Sequence, residues 1–106
     1  MSIQDEKIIE LVKNLAAKFL QHESNLTSMI TVTGADLRSK GRESTIFITV
    51  FPTDKEEDAL QFAKRMRSDF RDYVKENSRM RTIPFFDFEI DLGEKNRQRI
   101  DELSNQ

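Results

Sequence analysis

The amino-acid sequence predicts an α+β fold in two layers, a three-stranded sheet with helices on one face. Two stretches repeat apolar residues at steps of three and four, as one face of a helix requires, and three shorter stretches alternate them with polar residues, as half-buried strands require. Their order is helix, strand, strand, long helix, strand. A chain of 106 residues buries only about two thirds of its extended surface on folding, so residues 1–106 are expected to form a single domain around one small core.

The first helix is expected over residues 3–22. Ser2 and Asp5 make a capping-box pattern, and behind it Ile8, Leu11, Val12, Leu15 and Phe19 fall on one face. Polar residues 21–27 end the pattern. Ile30 and Val32 then alternate with Thr31 and Thr33 in a β-branched run, which predicts a strand over about residues 28–37. The polar turn from Arg38 to Glu43 leads to a second strand, paired antiparallel with the first, in which Ile46, Ile48 and Val50 face the core and Phe47, Thr49 and Phe51 face away. Pro52 stops it. Thr53 and Glu56 form a second capping box, with Asp54, Glu56 and Glu57 at the positive end of the helix that follows. Ala59, Ala63, Met66, Phe70, Tyr73 and Val74 keep to one face as far as about Asn77. With no Gly or Pro inside, this helix is expected to run continuous or gently bent through Ala63-Lys64-Arg65. A right-handed crossover then brings in the third strand after Pro84, where Phe86, Phe88, Ile90 and Leu92 alternate with Phe85, Asp87, Glu89 and Asp91. Gly93 is expected to end it, with Ile100 and Leu103 marking a short C-terminal helical turn or ordered tail.

The net charge of −2, from 17 bases and 19 acids, hides a strong segregation. Residues 38–43 hold three bases and one acid, residues 64–81 seven and three, and residues 53–60 one and four. On a helical wheel Lys64, Arg67, Arg71 and Lys75 lie within about 80° of one another beside the apolar face, and Arg79 and Arg81 prolong the stripe into the loop before the third strand. Such a stripe suits nucleic-acid phosphates, since each base that meets one releases condensed counterion. A merely solvated helix face is the competing reading, with Arg65 and Asp69 an ordinary i,i+4 pair.

The absence of cysteine excludes disulfides, thiolate zinc sites, iron–sulfur clusters and cysteine nucleophiles, and fits a reducing compartment. No run approaches the roughly 20 apolar residues of a membrane span, and residues 1–6 lack the basic and apolar regions of a secretion signal, so a cytoplasmic protein without a membrane partner is expected. Without secretion the sequon Asn25-Leu26-Thr27 carries no weight. P-loop, GxGxxG and HExxH patterns are all missing, and the single imidazole, His22, stands where a cation complements the end of the first helix. No catalytic residue, metal site or cofactor is therefore expected. Asp87, Glu89 and Asp91 are read as the solvent face of an antiparallel sheet rather than as cation ligands. Phe47, Phe51 and Phe85 share the outward parity of their strands and form either an aromatic platform for bases or a patch covered by Ile100 and Leu103.

Several segments, in order along nearly the whole chain, resemble bacterial ribosome-binding factor A. They are Ile30-Thr31-Val32-Thr33, Asp36-Leu37 and the ungapped run to Ile46-Phe47-Ile48-Thr49-Val50, Arg67-Ser68-Asp69-Phe70, Arg79-Met80-Arg81 with Pro84, Phe86 and Phe88, and the closing Arg99-Ile100-Asp101-Glu102-Leu103. The resemblance implies a type II KH-like domain and a non-enzymatic assembly factor that binds the immature small (30S) ribosomal subunit and promotes maturation of its 16S rRNA. Under that reading the RNA-binding residues are Arg38, Lys40, Arg42, Lys64, Arg67, Arg71, Lys75, Arg79 and Arg81, on a protein expected to be a monomer. Lys64 stands where the family's Ala-x-Gly places a glycine between two helices, which is why an unbroken helix is expected here. Lys40 and Gly41 replace acidic and apolar residues in the strand turn, making it more basic. The alternative function is a protein-interaction module of the same fold, using the outer phenylalanines.

Overall fold

The structure, a computed structural model, describes residues 3–23 and 28–104, with the backbone alone for residues 23 and 99–104. Within them lie α1 (Ile3–Glu23), β1 (Met29–Ala35), β2 (Glu43–Phe51), α2 (Glu56–Arg65), α3 (Arg67–Asn77), β3 (Phe85–Ile90) and α4 (Leu92–Ser104). Strand β2 is central, antiparallel to β1 and parallel to β3, so the sheet is mixed rather than antiparallel. The parallel pairing follows from the α2–α3 crossover, which returns the chain to the end of the sheet where β2 began. No described helix is long and apolar enough to cross a membrane.

Alternation in β2 turns Ile46, Ile48 and Val50 inward, and Phe86 and Phe88 of β3 join them. Against this floor pack Val12, Leu15, Ala16, Phe19 and Leu20 of α1, Ala59 and Ala63 of α2, and Phe70 and Val74 of α3. Phe70 is the hub, with its ring centroid 4.7 Å from Phe86, 5.3 Å from Phe19 and 5.8 Å from Phe88. Burying one such ring stabilises the fold by about 2–3 kcal/mol, a large share of the margin of so small a domain. The opposite face is drier than alternation alone suggests. Thr45 and Thr49 point outward, yet are only 6% and 8% exposed. At Thr45 the cause is Arg38, which lies across it and donates from Nη2 to Thr45 Oγ1 at 2.7 Å.

Two elements differ from expectation. The long helix is interrupted at Met66, whose φ of −91° and ψ of 7° separate α2 from α3. Its amide is shared between the carbonyls of Phe62 and Ala63, at 3.2 and 3.1 Å, and α3 restarts with the Phe70 amide on the Met66 carbonyl at 2.8 Å. Because Met66 stays near the right-handed region, no left-handed residue and hence no glycine is needed. The C-terminal segment is a helix of 13 residues rather than a short turn. Asp91 caps it, Oδ1 accepting the Glu94 amide at 3.0 Å, so Gly93 lies in the first turn of α4 instead of ending a strand. Asp91 also holds the sheet together from outside. Thr33, the bulged residue of β1, donates its hydroxyl to Asp91 Oδ2 at 2.5 Å across β2. Ser2, the sequon 25–27 and the Ile100 and Leu103 side chains lie outside the described residues.

Candidate nucleic-acid interface

Two basic segments some forty residues apart in sequence meet at one end of the sheet. The Phe85 amide donates to the Arg42 carbonyl at 2.9 Å, which continues the parallel ladder and sets the loop before β3 beside the turn between β1 and β2. That turn is wound in the left-handed sense, with φ of 54°, 58° and 84° at Ser39, Lys40 and Gly41. Only Gly41 adopts this conformation without strain, and two side-chain-bearing residues held there store roughly 1–3 kcal/mol each. Four bonds converge to hold them. The amides of Gly41, Arg42 and Glu43 all reach the Arg38 carbonyl at 3.1–3.2 Å, and the Ser39 hydroxyl donates to Glu43 at 2.8 Å. The winding places Lys40 at the edge of an open groove of about 430 Å³, shared with Arg79 and Arg81 of the loop and Gln4, Asp5 and Ile8 of α1.

The nine bases singled out in the sequence fall into two groups. Arg38, Lys64, Arg67 and Arg71 have partners within the fold. Arg38 pairs with Asp36 at 3.3 Å, and Lys64 and Arg67 reach the same Asp87 Oδ1 at 2.8 and 3.3 Å. Arg67 also donates from Nε to the Lys64 carbonyl at 2.9 Å, satisfying an acceptor in the last turn of α2 beside the break at Met66. Arg71 donates from Nε to the Pro84 carbonyl at 3.1 Å and from Nη2 to that of Ile83 at 3.0 Å, pinning the loop to α3. By contrast Lys40, Arg42, Lys75, Arg79 and Arg81 have no ion pair among the described residues. The unpaired bases thus lie in the turn, in the last turn of α3 and in the loop after it.

Asp87 is what neutralises the middle of the stripe. Partial burial raises its carboxyl, but the hydrogen bonds from Lys64 and the Phe88 amide, with the charges of Lys64 and Arg67, outweigh it and hold the group below the ordinary carboxylate range. Asp91 is lowered too, chiefly by the Thr33 hydroxyl and then by the Glu94 amide. Asp87 in β3 and Asp91 just after it therefore face different partners. The outer phenylalanines are likewise separated. Phe85 stands beside Glu43 and Phe51 beside Met29, at opposite ends of β2 and about 26 Å apart at 3.3 Å per residue.

A sequence model of ribosome-binding factor A matches residues 4–104. The chain belongs to the ribosome-binding factor A family. The crystal structure of ribosome-binding factor A from Thermus thermophilus superposes with a TM-score of 0.70 at 22% identity, covering 81% of this chain and 94% of that one. A homology model of the Thermus thermophilus protein, fitted into a cryo-EM map of a complex with the 30S subunit, gives 0.67 at 22% identity over 76% and 88% of the two chains. A solution NMR structure of a ribosome-binding factor A candidate from Thermotoga maritima gives 0.69 at 16% identity over 84% and 88%. At these identities the likeness establishes the fold, an α+β unit with a three-stranded mixed sheet.

Two features of the surface escaped the helical wheel. Arg65 and Ser68 flank the break at Met66 and line a second groove with Lys64, Arg67 and Arg71. Phe85 projects beside it, 68% exposed, with the Arg71 guanidinium 4.4 Å from its ring centroid. Strand alternation does mark Phe85 as outward. Its pairing with Arg71 depends on the long-range fold and has no local signal.

Proposed function

We propose that this protein is a non-enzymatic assembly factor of the cytoplasm that binds the immature small ribosomal subunit as a monomer and promotes maturation of its rRNA. The observation that carries the reading is the convergence of Lys40, Arg42, Arg79 and Arg81 at one end of the sheet, without ion-pair partners among the described residues. Two segments distant in sequence, brought together at the same end of β2 and β3, would then grip adjacent phosphates. Lys64, Arg67 and Arg71 would add charge along the flank while keeping their structural bonds. Family membership supports the ribosomal target, and the Thermus protein's fit to a 30S complex map supports the small subunit. Selection would come from the shape of the folded rRNA, because phosphate contacts position a protein without reading bases.

Co-sedimentation with small subunits, large subunits and whole ribosomes across a salt series tests the reading. Binding is expected to small subunits, weakening steeply with ionic strength. Equal binding to all three particles, or binding indifferent to salt, would point instead to an apolar protein contact through the outer face.

A further inference from the structure

We infer that Phe85 and Arg71 form a stacking site for one unpaired RNA base, a step beyond the phosphate grip proposed above and resting on it. Phe85 is 68% exposed although it lies next to the buried Pro84 and Phe86. Exposure alone does not single it out, since Phe51 is 67% exposed, but Phe85 is the one set against a basic groove and an arginine. Charge identifies the occupant. The adjoining groove, about 480 Å³, is lined by Lys64, Arg65, Arg67 and Arg71 against Asp72, and it stays net cationic even with Asp87, which pairs with Lys64 and Arg67, counted in. A cationic wall around an exposed aromatic ring suits an anionic strand carrying flat apolar faces, which is single-stranded nucleic acid.

The geometry is already set before anything binds. Arg71 lies 4.4 Å from the Phe85 centroid, so it covers one face of the ring and leaves the other open. Its guanidinium is immobilised by the Pro84 and Ile83 carbonyls, so little side-chain freedom remains to be lost on binding. Those bonds take two N–H groups, and of the roughly five in a guanidinium the rest remain to meet a phosphate or a base edge. The backbone that carries the ring is fixed by the Phe85 amide on the Arg42 carbonyl. A base stacked on the open face would place its own phosphate toward Arg42 on one side or Lys64 and Arg67 on the other. Double-stranded RNA offers no such face, so the site selects an unpaired nucleotide.

Short single-stranded RNA carrying one 2-aminopurine, with a hairpin of the same composition, provides the probe, since stacking quenches the fluorescence of that base. The full chain should quench the single strand and not the stem. Phe85→Leu should abolish quenching and weaken single-strand binding roughly tenfold, with an unchanged salt slope because every phosphate keeps its cation. Phe85→Trp should retain both. Thermal denaturation checks that the variants fold, which the exposure of the ring favours. Quenching and affinity in Phe85→Leu equal to the wild type, with small-subunit binding intact, would overturn the stacking site alone. Loss of subunit binding by Phe85→Leu with oligomer binding unchanged would do so too, and would assign the ring to a protein contact. Failure of the unaltered chain to bind either subunit or oligomer would overturn the proposed function along with the site.

Discussion

Asp87 stands on the outward side of an edge strand, a position that reads as solvent, yet three groups converge on its Oδ1: Lys64 Nζ at 2.8 Å, the Phe88 amide at 2.8 Å and Arg67 Nη1 at 3.3 Å. Alternation gives the side of a strand but not the reach of a long side chain from a neighbouring helix around the edge. The lowered carboxyl ties stability to pH. Its contribution is present above the unfolded value of about 4 and is lost as pH falls through the lower folded value. Asp87→Asn should therefore lower the urea midpoint at pH 7, and the gap from the wild type should close as pH falls below about 4. A gap that stays constant between pH 7 and pH 3 would show that the ionised form is not what matters. Arg71 makes a parallel case. A solvated stripe residue would be reversed to Glu with no effect on stability, but here the guanidinium satisfies two backbone carbonyls. Arg71→Ala should cost roughly 1–3 kcal/mol by chemical denaturation, against less than about 0.5 kcal/mol for Arg79→Ala. Similar values for the two would return Arg71 to the solvated surface.

At the scale of elements, the periodic ones were legible and the interruptions were not. Ala59 and Ala63 before Met66, and Phe70 and Val74 after it, are all buried on the same side, so the apolar period passes through the break undisturbed. A hydrophobic pattern reports which side faces the core, and it cannot register a change in backbone direction that keeps that side. The resemblance drawn from the sequence puts a glycine at the break, and this chain has Lys64 there. The chain makes the turn instead two residues later, with a residue that needs no positive φ and with Arg67 Nε on the freed carbonyl. α4 was legible in principle. Asp91-Leu92-Gly93-Glu94 is a capping pattern, masked by an alternation of apolar and polar residues that runs on through Leu92. A substitution separates helix from hinge at the old glycine position. Lys64 is helical and paired with Asp87, so Lys64→Gly should lose about 1 kcal/mol from helix propensity and more from the broken pair, while Lys64→Ala should lose only the pair. Unchanged or raised stability in Lys64→Gly would place the true end of α2 before residue 64.

Over the whole molecule the charge segregation seen in the sequence becomes a direction in space. The turn 38–43 and the loop before β3 adjoin the start of β2, while the acids Asp54, Glu56, Glu57 and Asp58 follow its far end. The nine residues of β2 separate these ends by about 26 Å, roughly three Debye lengths at physiological salt. Net charge alone argues against an RNA-binding protein here, but at that separation the acidic end would be screened from any phosphate that the basic end held under the proposed function. Local grip and long-range field can therefore be told apart. Reversing both Arg79 and Arg81 to Glu should lower the slope of log affinity against log salt by about two, near one for each phosphate no longer neutralised, and weaken small-subunit binding. Neutralising Glu57 and Asp58, which are exposed at the other end, should leave that slope unchanged and alter affinity little. Measured side by side in co-sedimentation, equal effects from the two pairs would mean that the protein meets the subunit through its overall charge, with no preferred end.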